Sequence, residues 1–259
     1  MKRQLSIILI AIAGFYFSVS AQQKYIDLFN GKDLSGWYIF LKEKGVNNDP
    51  NGVFTVKDGN IVISGEEFGC ITTEDEFENY KLTVEFKWGK RTFYPREDRA
   101  RDSGILLHSV GEDGASDGTW MHSIECQLIE GGTGDIIVVG DGLEDFAITT
   151  TVSGKTTQGS HYFQPDGEPL TFNGGRINWY GRDPEWKDVK GFRGANDLEK
   201  PLGEWNLIEC YVNGDELLIY LNGNLLNRAY NVKPSKGKIQ IQSEGAELFV
   251  RKVHLTRLN

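Results

Sequence analysis

Short runs of apolar or alternating residues, separated by turn signals, recur along the sequence and limit the folds that it can adopt. Asp58-Gly59, Asn213-Gly214 and Asn222-Gly223 lie between such runs. These dipeptides favour tight hairpins because their residues tolerate positive φ. The apolar residues show no 3.6-residue repeat sustained over three turns, so we expect little helix. The predicted strands are Phe54–Val56, Ile61–Ile63, Tyr80–Trp88, Gly104–His108, Ser123–Ile129, Trp205–Val212, Glu216–Leu221, Lys238–Gln242 and Leu248–Leu255.

Many short strands with little helix predict an all-β protein, a β-sandwich or jelly roll of two antiparallel sheets. Residues 22–259 are predicted to form a single domain, because no Pro-, Ser- or Gly-rich linker interrupts them. The composition, 39% hydrophobic and 25% charged, is that of a globular protein. The formal net charge of -9 disfavours a nucleic-acid partner.

The first 21 residues differ from the rest of the chain. Lys2 and Arg3 precede a mostly apolar stretch from Leu5 to Val19, and a small-residue cleavage signal ends at Ala21. We expect residues 1–21 to be a secretory signal peptide, because the apolar stretch is shorter than the roughly 20 residues of a spanning helix. An uncleaved membrane anchor is the alternative. Since no Cys follows for lipidation, the mature chain is expected to be periplasmic or secreted, without a membrane span.

The cysteines give no sign of a zinc site, because no CxxC or HxxxH spacing occurs. Cys126 and Cys210 lie inside predicted strands, where a free thiol acts as a small apolar residue. Cys70 could form a disulfide with either only if the fold brings them together.

Strand parity sorts side chains into two sets, because successive residues of a strand point to opposite faces. The residues directed to the core are Leu82, Val84, Phe86, Trp88, Ile105, Leu107, Ile124, Cys126 and Leu128. The polar or charged residues directed the other way are Glu85, Lys87, Asp102, His108, Glu125 and Gln127. We predict that these six share one sheet face and form a ligand site. Any antiparallel sheet with one solvated face would show the same alternation.

Two of these strands are expected to pair as a hairpin, because only a Gly-rich stretch from Ser109 to Trp120 separates them. Placing Leu106 opposite Glu125 keeps His108 and Glu125 on the same face, whereas a one-residue slip would bury an unpaired carboxylate. We therefore predict the first register.

Strand signals thin between Gly140 and Gly203, so this segment is predicted to be a long loop. Long loops in compact domains are more often functional than idle. Trp179 lies in this segment and is a candidate substrate-binding residue.

Several motifs, taken in order, resemble the 3-keto-disaccharide hydrolase domain family. They are Leu28–Trp37, Asp58-Gly59, Asp102–Ile105, Ile124–Ile129, Gly203–Asn206, Leu221–Gly223 and Gly237–Gln242. The resemblance covers about residues 25–259 and implies a concanavalin A-like jelly roll. The chain departs from the family pattern at His108, where an Arg is common, and at Glu244, where a His often precedes the Gly.

The resemblance implies cleavage of glycosides whose sugar carries a ketone at C3. Such a ketone acidifies the C2 proton, so a base can remove it and the group at C1 can leave by β-elimination; later addition of water would give net hydrolysis. The site then needs a base, a cation or donor for the enolate oxygen, and an acid at the glycosidic oxygen. We expect Glu125 or His108 as base and acid, and Lys87 and Gln127 at the enolate or the hydroxyls. Asp102 could orient His108.

No cofactor is implied with certainty. A divalent cation held by His108, Glu125 and Asp135 is an alternative electrophile to Lys87. Because no Gly-x-Gly-x-x-Gly fingerprint is present, a separate sugar 3-dehydrogenase is expected to make the ketone.

Two other functions remain open. An ordinary glycosidase would use two carboxylates, with Glu85 and Glu125 as the natural pair. A carbohydrate-binding module is the second, because jelly rolls often bind sugars without chemistry. Glu85 and Gln242 complete the residues expected to contact a carbohydrate substrate.

Overall fold

The computed structural model describes residues 25–258, whose regular structure consists entirely of strands. In chain order the strands are β1 (Tyr25–Asp27), β2 (Trp37–Leu41), β3 (Gly45–Val46), β4 (Phe54–Lys57), β5 (Asn60–Ile63), β6 (Gly69–Thr73), β7 (Tyr80–Thr92), β8 (Asp102–Val110), β9 (His122–Ile129), β10 (Ile136–Val139), β11 (Ala147–Thr157), β12 (Ser160–Phe163), β13 (Glu168–Phe172), β14 (Gly175–Asn178), β15 (Asn206–Asn213), β16 (Glu216–Leu221), β17 (Asn224–Lys233), β18 (Lys238–Ser243) and β19 (Ala246–Arg257).

The strands form two layers. The back sheet has the order β4-β5-β19-β7-β15-β16-β17, with β1 beside the far end of β19. The front sheet runs β3-β2-β6-β18-β8-β9-β10-β14-β12-β11-β13. A pairing of β17 with β11 joins the two layers at one edge. The chain is an all-β jelly roll, as predicted.

The predicted signal peptide, residues 1–21, lies outside the described residues. Among residues 25–258, no helix is long and apolar enough to cross a membrane.

The hydrophobic core lies between the sheets and follows strand parity. Ile124, Cys126 and Leu128 of β9 are buried in it, as predicted. Leu106 pairs with Glu125, so the predicted register of the β8–β9 hairpin is confirmed. This register turns Glu125 away from the core.

Turn chemistry also follows the sequence. Asp58 and Gly59 connect β4 to β5 with φ values of 51° and 73°. Asn222 and Gly223 connect β16 to β17 with φ values of 51° and 83°. Positive φ at both central residues matches the right-handed twist of the strands that such turns join.

The predicted long loop between Gly140 and Gly203 is wrong for its first part, because β11 to β14 extend the front sheet over residues 147–178. These strands escaped prediction because β11 is rich in Thr and Ser and most of β13 is exposed, so neither shows a sustained apolar alternation. Residues 179–205 are irregular, and we refer to them as the wall segment.

All three cysteines are buried and free in the described part of the chain. The Cys70 thiol accepts a hydrogen bond from Gln240 Nε2 at 3.2 Å. Cys126 and Cys210 instead lie in the core between the sheets.

Candidate active site

Four of the predicted site residues meet on the polar face of the front sheet. Asp102 lies on β8, Glu125 and Gln127 on β9, and Gln242 on β18, which pairs with the other edge of β8. Gly104 lies among them, and a Cβ at that position would collide with the Oε1 atoms of Glu125 and Gln242. The missing side chain therefore lets the two oxygens converge above the strand.

A chain of hydrogen bonds fixes the floor of this face. Gln127 Nε2 donates to Asp102 Oδ1 at 2.5 Å, and Gln127 Oε1 accepts from Arg176 Nη2 at 3.0 Å. The second carboxylate oxygen of Asp102 forms an ion pair with Arg96. Both oxygens of Asp102 are thus engaged, and the guanidinium group of Arg176 is held near Glu125.

Asp135 anchors the cationic side of the site. Its carboxylate is fully buried and accepts a hydrogen bond from Arg176 Nη1 at 2.9 Å. It also forms an ion pair with Arg182 and accepts from the backbone N–H of Trp179 at 2.9 Å. A buried carboxylate needs such compensation, so Asp135 fixes Arg176 and the start of the wall segment.

Glu125 is almost completely removed from water, with 5% of its surface exposed. Burial, followed by the nearby charge of Asp102, raises the pKa of Glu125 to about 8, against the opposing effects of Arg176 and a hydrogen bond with Gln242. A carboxyl group with this pKa exchanges its proton near neutral pH, which suits general acid-base chemistry. Gln242 Oε1 is buried and has no hydrogen-bond partner within residues 25–258.

Glu244 is a third carboxyl group at this face, and sequence reasoning marked it only as a departure from the family pattern. Its Oε1 atom is 3.6 Å from Arg96 Nη2, and its side chain is 20% exposed. Burial and then the charge of Glu125 raise the pKa of Glu244 to about 7. Burial and then Glu244 likewise raise the pKa of Asp102 well above its usual range. Glu244 lies in the turn just after β18, two residues beyond Gln242, and this proximity is the signal that could have found it.

A cavity of about 290 Å³ opens beside Asp102 and the guanidinium groups of Arg96 and Arg176. Its volume is near the lower end of the range of small-molecule sites, about 300 to 1,000 Å³. It is lined by Arg96, Asp102, Ile129, Arg176 and Asn178, by Thr157, Gln158 and Ser160 around the β11–β12 turn, and by Arg182, Asp183, Trp186 and Asp188 of the wall segment.

The wall segment is docked onto the β9–β10 turn by several hydrogen bonds. Trp186 Nε1 donates to the carbonyl of Glu130 at 3.1 Å, and the N–H of Gly191 donates to the Glu130 carboxylate at 2.9 Å. The Glu199 carboxylate accepts from the N–H of Gly131 at 3.1 Å. These bonds fix the wall segment in place along one side of the cavity.

Glu85 and Lys87 do not reach this face. Both lie on β7 in the back sheet, where Glu85 accepts a hydrogen bond from Arg251 Nε at 2.5 Å. Lys87 Nζ lies 4.8 Å from the centroid of the Trp205 ring. The prediction that Lys87 shares a face with Glu125 is wrong, because parity orders side chains within a strand but does not assign that strand to a sheet.

His108 is also absent from the face. It has a φ of 53° at a register shift in β8, and its ring packs edge-on against Tyr80 with centroids 5.7 Å apart. Its Nδ1 atom lies 2.8 Å from the carbonyl oxygen of Pro234. Burial lowers the pKa of His108 to about 4, so the imidazole is neutral. The shift reverses the parity on which the prediction rested, and Asp102 holds Gln127 instead of orienting His108.

Trp179 is buried in the core with 3% exposure, so it offers no sugar platform. Trp186, seven residues later, lines the cavity in its place. The predicted cation site is not assembled either, because His108 points away from Glu125 and two arginines already pair with Asp135. The described residues contain no group of three or more His, Cys, Asp or Glu side chains that could hold a metal ion.

Together these features define a two-sheet β-sandwich protein with a polar, carboxyl-containing cleft on one sheet, an architecture that lectin domains also use. The sequence profile of the 3-keto-alpha-glucoside-1,2-lyase-like domain matches residues 24–256, and the chain belongs to this family. The resemblance inferred from the motifs is confirmed. Family membership and the sandwich fold support a carbohydrate-related function.

Solved structures share the fold. A protein of Parabacteroides distasonis ATCC 8503, assigned provisionally as a glycosyl hydrolase, aligns with a TM-score of 0.52 at 21% identity over 91% of this chain and 94% of its own. A Bacillus licheniformis beta-glucanase aligns with a TM-score of 0.47 at 12% identity, covering 90% and 97%. The carbohydrate-binding module CBM66 of Bacillus subtilis aligns at 0.46 and 10% identity, covering 84% and 93%. A comparison with curated protein sequences finds no match.

Proposed function

We propose that this protein cleaves the glycosidic bond of 3-keto-glycosides by removing the C2 proton and expelling the substituent at C1. The observation that carries the proposal is the placement of Glu125. Its carboxyl group is buried, has a pKa of about 8 and lies near the fixed guanidinium of Arg176. The family to which the chain belongs supports the choice of substrate.

Glu125 is the base in this proposal. Because burial raises its pKa to about 8, its ionised form binds a proton more tightly than an exposed carboxylate would. About half of the groups are ionised at pH 8, so both protonation states are available near neutral pH. This basicity suits removal of a proton that an adjacent ketone has made acidic.

Arg176 is the cation that stabilises the enolate oxygen, in the role that sequence reasoning gave to Lys87. Its side chain is 28% exposed and lines the cavity, while Asp135 and Gln127 hold two of its nitrogens. A guanidinium keeps its charge throughout catalysis. A preorganised donor of this kind stabilises developing negative charge without reorganisation. Gln242, whose buried carbonyl oxygen has no partner within residues 25–258, binds a sugar hydroxyl.

The supply of substrate completes the proposal. A separate sugar 3-dehydrogenase makes the ketone, since elimination neither oxidises nor reduces the sugar overall. We also propose that residues 1–21 are removed and that the protein acts in the periplasm or outside the cell. Mass spectrometry of the secreted protein should find Gln22 as its first residue; an intact Met1 would contradict this.

The test compares a 3-keto-glucoside with the same glucoside before oxidation, with products followed by NMR. We expect cleavage of the keto-sugar only. In D₂O, deuterium should enter at C2 whenever return of the proton competes with loss of the C1 group. Binding of sugar without cleavage of either compound would favour a carbohydrate-binding module, and cleavage of the unoxidised glucoside would favour an ordinary glycosidase.

A further inference from the structure

We infer that Glu244 is the general acid that protonates the glycosidic oxygen as it leaves C1. This inference rests on the proposed function and adds a second catalytic residue to Glu125. Elimination from C1 expels an alkoxide when the leaving group is a sugar or a simple alcohol. Such a group leaves slowly unless a proton is delivered to it, so the site needs a donor distinct from the base.

The geometry places Glu244 at the outer rim of the carboxyl cluster. Glu125 is 5% exposed at the floor, above Gly104, whereas the Glu244 side chain is 20% exposed. Arg96 lies between Glu244 and the floor, because its Nη2 atom contacts Asp102 and is 3.6 Å from Glu244 Oε1. For a sugar with C2 over Glu125, we place the C1 substituent beside Arg96, which lines the cavity and lies 3.6 Å from Glu244 Oε1.

The other carboxyl groups at the cavity already accept hydrogen bonds. Asp183 accepts from the N–H groups of Glu185 and Ala195, and Asp188 accepts from Arg96 and from the N–H of Ala100. Asp102 accepts from Gln127 with one oxygen and pairs with Arg96 through the other. Both oxygens of Asp135 accept hydrogen bonds. Within the part of the chain that the structure describes, the one ion-pair contact of Glu244 is the 3.6 Å approach to Arg96. Glu244 is therefore the carboxyl group best able to carry a proton and give it to a ligand.

The proposed roles require the proton to lie on Glu244 while Glu125 is ionised. The pKa of Glu125 is raised to about 8 and that of Glu244 to about 7, in each case by burial first. Because the two groups influence each other, the pair takes up its protons in two steps. Between those steps the pair holds one proton, mainly on Glu125 because its pKa is the higher; the reactive form is the less populated arrangement, with the proton on Glu244 and Glu125 ionised.

The bonds balance without any added oxidant or reductant. The C2–H bond breaks, its proton goes to Glu125, and the electron pair becomes the enolate beside Arg176. The enolate then re-forms the C3 ketone, a double bond forms between C1 and C2, and the C1–O bond breaks. The departing oxygen takes the proton of Glu244. Exchange with solvent returns the proton from Glu125 and restores the one on Glu244.

The test uses leaving groups of different basicity with the full-length protein. A nitrophenyl 3-keto-glucoside expels a stable phenolate and needs little help, whereas a methyl 3-keto-glucoside expels an alkoxide. We expect Glu244→Gln to lower kcat on the methyl glycoside by about 10²- to 10⁴-fold and on the nitrophenyl glycoside by less than about tenfold. Glu125→Gln is the matched control and should lower both.

The pH profile gives a second readout. With the methyl glycoside, wild-type kcat should fall on the alkaline side as the acid loses its proton, and Glu244→Gln should remove that fall. Glu244→Asp keeps a proton donor and should recover part of the activity; it also serves if Glu244→Gln does not fold.

Equal losses on both substrates would show that Glu244 acts only through structure and would overturn the inference while leaving the proposed function intact. A wild-type protein that cleaves neither substrate would overturn the proposed function, and the role of Glu244 with it.

Discussion

β7 and β9 carry the same alternation of apolar and polar residues, yet their polar faces have opposite environments. On β7, Glu85 forms ion pairs with Arg251 and Lys252 on the outer surface of the back sheet. On β9, Glu125 is buried and its pKa is raised to about 8.

The two environments differ because different parts of the chain cover the polar faces of β7 and β9. The polar face of β9 lies beside the wall segment and a cavity, whereas Glu85 on β7 is partly exposed and pairs with the exposed Arg251 and with Lys252. Exposed ion pairs contribute about 0–1 kcal/mol because water screens them. A carboxyl group deprived of water keeps its proton to higher pH. Acid-base chemistry therefore becomes available on only one of two similar strands.

The strongest test of this difference is Glu125→Gln. The variant keeps the shape of the side chain but cannot accept a proton, so kcat on a 3-keto-glycoside should fall by about 10²- to 10⁴-fold. Steady-state kinetics measure the loss, and titration calorimetry should show that the sugar still binds. Near-normal turnover would remove Glu125 from the catalytic step.

Arg176→Gln should have the next largest effect. Removing a preorganised donor to a developing oxyanion costs about 10²- to 10³-fold in kcat. Because Arg176 lowers the pKa of both Glu125 and Glu244, the variant should also move both limbs of the pH profile to higher pH. A loss of rate without this shift would place Arg176 away from Glu125 in solution.

The buried carboxyl group of Glu125 should also make the free energy of unfolding depend on pH. The pKa of Glu125 is raised on folding, so its contribution is fully favourable below pH 4.5 and is lost as the pH rises to about 8. Glu125→Gln escapes this loss, and its free energy of unfolding at pH 9 should exceed that of wild type by on the order of 2–3 kcal/mol. Urea titrations at pH 5 and pH 9 measure the difference. An equal effect at both pH values would mean that Glu125 is solvated.

The smallest effects are expected on β7. Glu85→Gln removes an exposed ion pair, so stability should change by less than about 1 kcal/mol and kcat should not change. Thermal unfolding and the same kinetic assay check both points. A large loss of activity in this variant would contradict the difference drawn between β7 and β9, because it would mean that the back sheet takes part in catalysis.

Strand parity and turn chemistry were enough to predict much of the fold and the central residues of the site. Ile124 and Cys126 lie in the core, and Leu106 faces Glu125 as predicted. These features depend on the two-residue period of a strand and on the cost of burying an unpaired charge, and both are local properties. The Thr-rich strand β11 was missed because its pairing partners, not its own pattern, make it a strand.

The sequence by itself thus determined which side of β9 Glu125 occupies, since that side follows from its neighbours along the chain. Only the tertiary structure decided that Lys87 lies on the other sheet and that His108 turns into the core at a register shift. It also decided that Glu244 joins Glu125 and that burial raises the pKa of both. Pairing between distant strands and burial by a wall segment depend on contacts across the whole chain, and no local pattern encodes them.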